Sequence, residues 1–71
     1  MKYVVEQSEG GNITIVAEWT DKAKAIQSFH SVCSALWAES SVTQATVKLF
    51  DEKLDVVDGK IEIIDKSLGA I

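Results

Sequence analysis

Proline and arginine are both absent from these 71 residues, and cysteine and histidine occur once each. Without arginine the chain lacks the guanidinium fork that most often reads bases and grips phosphates. Its seven basic residues, Lys2, Lys22, Lys24, Lys48, Lys53, Lys60 and Lys66, are scattered among eleven carboxylates, so direct nucleic-acid binding is not expected. A single Cys33 excludes an intrachain disulfide framework, and Cys33 with His30 makes only two ligands towards a tetrahedral metal site. No metal or cofactor is expected. No apolar run approaches the ~20 residues of a membrane span, and Met1-Lys2-Tyr3-Val4-Val5-Glu6-Gln7 meets a carboxylate too early for a signal peptide. No membrane contact is expected, and the expected compartment is the cytoplasm, where a free thiol stays reduced. With no repeat, low-complexity stretch or linker, the chain reads as a single α+β domain over 1–66 with a loose tail over 67–71.

What is present is ordinary globular material, with 46% hydrophobic and 25% charged residues. So short a chain buries only ~60% of its unfolded surface. Sharing apolar surface with a second copy adds stability cheaply, and a homodimer is expected. The net charge of −4 and pI near 4.7 favour solubility and basic partners.

The strongest pattern is an amphipathic helix from Thr20 to about Glu39. Ala25, Ile26, Phe29, Val32, Cys33, Leu36 and Trp37 fall on one stripe roughly 140° wide. Thr20 or Asp21 can cap its start, and Ser40-Ser41 follow its end. Such a helix needs one surface to lie on, and the flanking segments supply a sheet.

Tyr3 to Ser8 reads as a first strand, turned by Glu9-Gly10-Gly11-Asn12 into a second from Ile13 to Trp19. Alternation along the second puts Ile13, Ile15, Ala17 and Trp19 on one face and Thr14, Val16 and Glu18 on the other. A third strand follows Val42, with Ala45, Val47 and Leu49 opposite Gln44, Thr46, Lys48 and Phe50. Beyond Asp51-Glu52-Lys53, the favoured reading is one returning strand, Leu54 to Ile64, with a glycine bulge at Asp58-Gly59; the other splits it into two short strands. The result is ββαββ, a mostly antiparallel four-stranded sheet with the helix on one face. The third strand can lie antiparallel beside the first, or the fourth can pair with the first in parallel. The β-grasp immunoglobulin-binding domains of protein G are similar in element order, with no residue motif shared, and order alone carries no function.

Candidate chemistry is sparse. His30 and Cys33 stand three apart on the helix, but the stripe makes Cys33 a packing group and leaves His30 at its margin, so no catalytic pair is expected. Asp51, Glu52, Asp55 and Asp58 form an acidic patch without the alternating oxygens and sixth-position glycine of a calcium loop, and solvated turn charges are the better reading. Gly10-Gly11 precedes a strand and not a helix, so it is turn chemistry and not a phosphate cradle. Trp37 is expected in the core, and Trp19 in either the core or an interface. The uncovered sheet face, with Val4, Val16, Phe50 and Val57, is where partner contact is expected, and Trp19 is a further candidate interface residue.

These features favour a small acidic protein-interaction module without catalysis, homodimeric and cytoplasmic, with a protein partner. One alternative is an acidic inhibitor, from a phage or mobile element, whose carboxylates occupy the basic nucleic-acid-binding site of a partner protein. Another is a small-ligand binder or enzyme with its site at a dimer interface.

Overall fold

A computed structural model describes residues 1–67, which form β1 (Tyr3–Glu9), β2 (Asn12–Trp19), α1 (Lys22–Ala38), β3 (Gln44–Asp51) and β4 (Val56–Asp65). The four strands make one antiparallel sheet in the order β2-β1-β3-β4, and α1 lies on one face in contact with all four. This is the expected ββαββ, α+β architecture. Of the two sheet orders open to the sequence, the one with the third strand beside the first is formed. The tail expected over 67–71 lies, from residue 68 onward, outside the described residues. No helix among the described residues is long and apolar enough to cross a membrane.

Local chemistry sets the element ends. Gly10 and Gly11 hold φ angles of 57° and 84° while Glu9 and Asn12 pair across them, the two positive φ values that a tight two-residue hairpin demands. At the helix start, Asp21 Oδ1 accepts from the backbone N–H of Ala23 and Lys24 at 2.9 and 3.2 Å. Asp21, and not Thr20, is therefore the cap, and α1 begins at Lys22. Asp21→Ala is expected to lower stability by about 1 kcal/mol, read as a Tm about 4–8 °C lower in a circular-dichroism melt. At the other end, Glu39 Oε1 accepts from the Ser41 N–H and hydroxyl at 3.3 and 3.1 Å, which holds the Glu39 carboxyl below its usual range.

The core lies between α1 and the sheet. Ala25, Phe29, Cys33 and Leu36 of the stripe pack against Val5, Ala45, Val47, Leu49, Val57 and Ile64, with Tyr3, Ala17, Ile26 and Val32 half-buried around them. Trp37 departs from expectation: it is 47% exposed, at the edge of the stripe, where its indole N–H donates to Glu62 Oε2 at 2.7 Å. Burying the ring would leave that N–H to find a partner inside the core, and a carboxylate at the rim satisfies it instead.

Two irregularities decide which side chains face the helix. On β2, Ala17 pairs with Val5 but Ile15 pairs with Glu6, so Val16 is an extra residue in a β-bulge. One inserted residue reverses the alternation beyond it. The single face expected for Ile13, Ile15, Ala17 and Trp19 is thereby split. Ala17 and Trp19 stay on the helix side, in register with Val5 and Tyr3, while Ile13 and Ile15 pass to the other face opposite Ser8 and Glu6.

On β4, Ile61 pairs with Lys48 and Val56 with Phe50, leaving residues 57–60 opposite Leu49 alone. Asp58 and Gly59 take φ angles of 49° and 66° there, so the favoured reading of one bulged strand holds, though it begins at Val56 and not Leu54. Leu54 lies in the preceding turn. The bulge also turns Val57 inward, where it is only 8% exposed, and this removes it from the uncovered face.

Candidate functional site

Strand registers lay out the sheet face opposite α1 as three rows of four residues. The first row runs Ile13, Ser8, Thr46, Ile63 across β2, β1, β3 and β4; the second runs Ile15, Glu6, Lys48, Ile61; the third runs Glu18, Val4, Phe50, Val56. Ile13 and Ile15 form one stripe on β2, and Ile61 and Ile63 a second on β4. Their exposures are 68%, 53%, 47% and 71%, against complete burial for Ile64 on the same β4 strand. Between the stripes, Glu6 stands directly opposite Lys48 on the neighbouring strand. Val4, Glu6, Lys48 and Phe50 on the inner strands β1 and β3 are half-buried, as neighbouring side chains stand around them, and so is Val56 at the start of the edge strand β4.

One end of the face is concave. Val4, Glu6, Ile15, Glu18, Phe50 and the turn residue Leu54 border a shallow depression of ≈ 350 Å³, and Leu54 is 80% exposed beside it. Lys2 Nζ pairs with Glu18 at 3.2 Å on this rim, and the Lys2 N–H donates to Glu52 Oε1 at 2.9 Å.

Of the residues singled out from the sequence, Val4 and Phe50 lie on this face and in register with each other. Val16 is exposed in the bulge beside it. Trp19 belongs to the helix side, where with Lys24, Gln27, Ser28 and Ser31 it lines a groove along the β2 edge. Val57 is core. The four exposed isoleucines were not among the candidates. For Ile61 and Ile63 a signal existed: Ile61, Ile63 and Ile64 put apolar groups on both sides of one strand, the mark of a sheet covered on both faces. For Ile13 and Ile15 the signal is weaker: the run Ile15-Val16-Ala17 interrupts the alternation, but the register that places the bulge is fixed by the partner strand.

The acidic patch is engaged in its own turn. Asp51 Oδ1 accepts from the backbone N–H of Lys53 and Asp55 at 2.8 and 3.2 Å, and Asp58 pairs with Lys22 at 3.1 Å. Among the described residues, no three His, Cys, Asp or Glu side chains stand together as a metal site.

His30 and Cys33 occupy different surroundings. His30 is exposed, with its ring edge-on to Phe29 and its Nε2 3.4 Å from Lys60 Nζ. Cys33 is buried, and its thiol is pushed up to about 11 by burial first, then by the charge and hydrogen bond of Glu62. At neutral pH it is a thiol and not the thiolate a nucleophile requires. The geometry therefore directs attention to the uncovered sheet face, and comparison with known proteins adds no assignment: the chain matches no family model, no curated protein and no solved structure.

Proposed function

We propose that this protein is a small acidic interaction module that acts without catalysis, by presenting the sheet face opposite α1 to another polypeptide. One observation carries the reading: Ile13, Ile15, Ile61 and Ile63 stand exposed on a single uncovered face. An antiparallel sheet with one wet face normally alternates apolar-in and polar-out. Here the wet face carries apolar stripes, and patches of this kind on a small soluble fold mark contact surfaces. The free buried thiol suits a reducing compartment, which supports the cytoplasm. The inhibitor reading has less support, since Asp51 and Asp58 are committed to a turn and an ion pair and do not form a dense outward array.

A photo-crosslinking residue substituted at Ile61 in the whole chain, activated in producing cells, tests this. The expected result is a covalent adduct with protein that is absent when the same group replaces Gln27 on the exposed side of α1. Adding Ile15→Lys and Ile63→Lys is expected to abolish the adduct while the far-ultraviolet circular dichroism stays native. Failure to capture any protein from position 61 overturns the reading.

A further inference from the structure

We infer that the occupant of the uncovered face is a second copy of this chain, related by a two-fold axis parallel to the strands and centred between β1 and β3. This rests on the reading of that face as a contact surface and names its partner. The argument is one of self-complementarity. Such an axis lays each row over itself reversed, so β2 covers β4 of the second copy and β1 covers its β3. In the second row Glu6 then meets Lys48 of the second copy, and Lys48 meets its Glu6. Ile15 and Ile61 cover one another at both ends. In the first row Ile13 meets Ile63 and Ser8 meets Thr46; in the third, Val4 meets Phe50, and Glu18, paired with Lys2 of its own chain, meets Val56 at the rim.

The other way to stack two copies, with the axis across the strands, lays each strand over its own counterpart. It sets Glu6 on Glu6, Lys48 on Lys48 and Ile13 on Glu18, and like charges face to face at the centre of an interface are strongly disfavoured. Between the two aligned stackings, charge therefore selects the one with the axis parallel to the strands. Isologous contact of this kind is the commonest symmetry of soluble oligomers.

Dimensions set the strength of the dimer. Four strands ~4.8 Å apart and three rows ~6.8 Å apart give a flat footprint of roughly 400 Å² per copy. Two copies cover about 800 Å² on this flat footprint, and side-chain relief has to add about half as much again to reach the ~1,200 Å² lower bound of standard interfaces, so a weak, concentration-dependent dimer is expected. Twisted sheets stack about 30° off parallel, which displaces the edge stripes by only ~4 Å and keeps isoleucine over isoleucine. The product is an eight-stranded sandwich with a helix on each outer side.

Cysteines introduced one at a time in addition to the buried Cys33, and charge reversals, test the geometry, with the parent chain and its Cys33 alone as the unlinked control. Ile15→Cys mixed with Ile61→Cys is expected to join through a short bis-maleimide, while neither variant joins to itself, because two copies of position 15 lie more than ~14 Å apart across the sheet width. Glu6→Lys and Lys48→Glu are each expected to weaken dimerisation, read by sedimentation, on the order of 30-fold or more. Mixing the two reversed variants is expected to restore it to within about threefold, because each then supplies the charge the other lacks. Native far-ultraviolet circular dichroism is required of every variant before its dimerisation is read.

Self-linking of Ile15→Cys overturns the axis. Dimerisation indifferent to both charge reversals places the contact at a strand edge and overturns the proposal. A parent chain that stays at 7.7 kDa at all concentrations overturns the dimer. If position 61 then still captures a different protein, the contact-surface reading survives; if it captures none, both fall.

Discussion

Phe29→Ala is expected to lower the Tm by roughly 20 °C or abolish the unfolding transition altogether. Phe29 is 2% exposed at the middle of the α1 stripe, over a sheet face that supplies Val5, Val47, Leu49 and Ile64, all completely buried. Truncating a buried phenylalanine costs about 3–5 kcal/mol in transfer and cavity terms. A chain this short has only ~4–10 kcal/mol to lose. A single side chain therefore decides whether the helix stays on the sheet. Lys48→Ala, one residue from Leu49 but on the opposite face, is expected to stay within about 0.5 kcal/mol of the parent when both are melted at a concentration low enough for the chain to be monomeric. A circular-dichroism melt of both variants checks the contrast. A fall of less than about 5 °C for Phe29→Ala would mean that the helix is held by something other than its stripe.

That contrast between neighbouring residues is also what the sequence showed best. Along β3 the alternation of Ala45, Val47 and Leu49 against Thr46, Lys48 and Phe50 is uninterrupted, so both faces could be read directly from the period. The helix was equally plain, because its stripe repeats over four turns and Asp21 stands where a cap is needed. β2 was legible as a strand but not in its faces. Its alternation is interrupted by the apolar run Ile15-Val16-Ala17, but only the register against Val5 and Glu6 makes Val16 supernumerary. A bulge is a property of a pair of strands, so a broken pattern within one of them does not say which side chains it redirects.

The same physics explains the candidate site. Val4 and Phe50 were found because they lie on regular stretches. Val57 was misassigned to the uncovered face because the Asp58-Gly59 bulge, though visible as a turn signal, gives no indication of which neighbours it redirects. Trp37 was placed in the core by its angle on the helix. Its exposure depends on Glu62, 25 residues away in the chain. The two bulges act in opposite directions: the one on β4 turns Val57 inward, while the one on β2 turns both Ile13 and Ile15 outward, and the second leaves an apolar surplus on the face that α1 does not cover.

Stability is expected to fall between pH 9 and 11 in a way that depends on Cys33. The folded thiol ionises near 11 against an ordinary value of 9.0, because burial and then the neighbouring Glu62 charge oppose the thiolate. A raised folded value means that the fold keeps its proton where the unfolded chain has released it. The contribution is thus complete below pH 9 and is lost as pH rises through about 11. Its ceiling is on the order of 2–3 kcal/mol. Denaturant titrations at pH 8 and pH 11, on the parent and on Cys33→Ala, isolate the effect, since lysine and tyrosine ionisations are common to both. The variant starts lower at pH 8 because it has lost a buried sulfur, and it is expected to lose about 2–3 kcal/mol less than the parent across the interval. Equal losses would show that Cys33 ionises normally and overturn the assignment. The outcome also bears on function, because a nucleophilic cysteine needs its thiolate stabilised near neutral pH. Here Glu62 and the helix stripe push in the opposite direction, so the same titration that measures a packing contribution also measures how far Cys33 stands from catalysis.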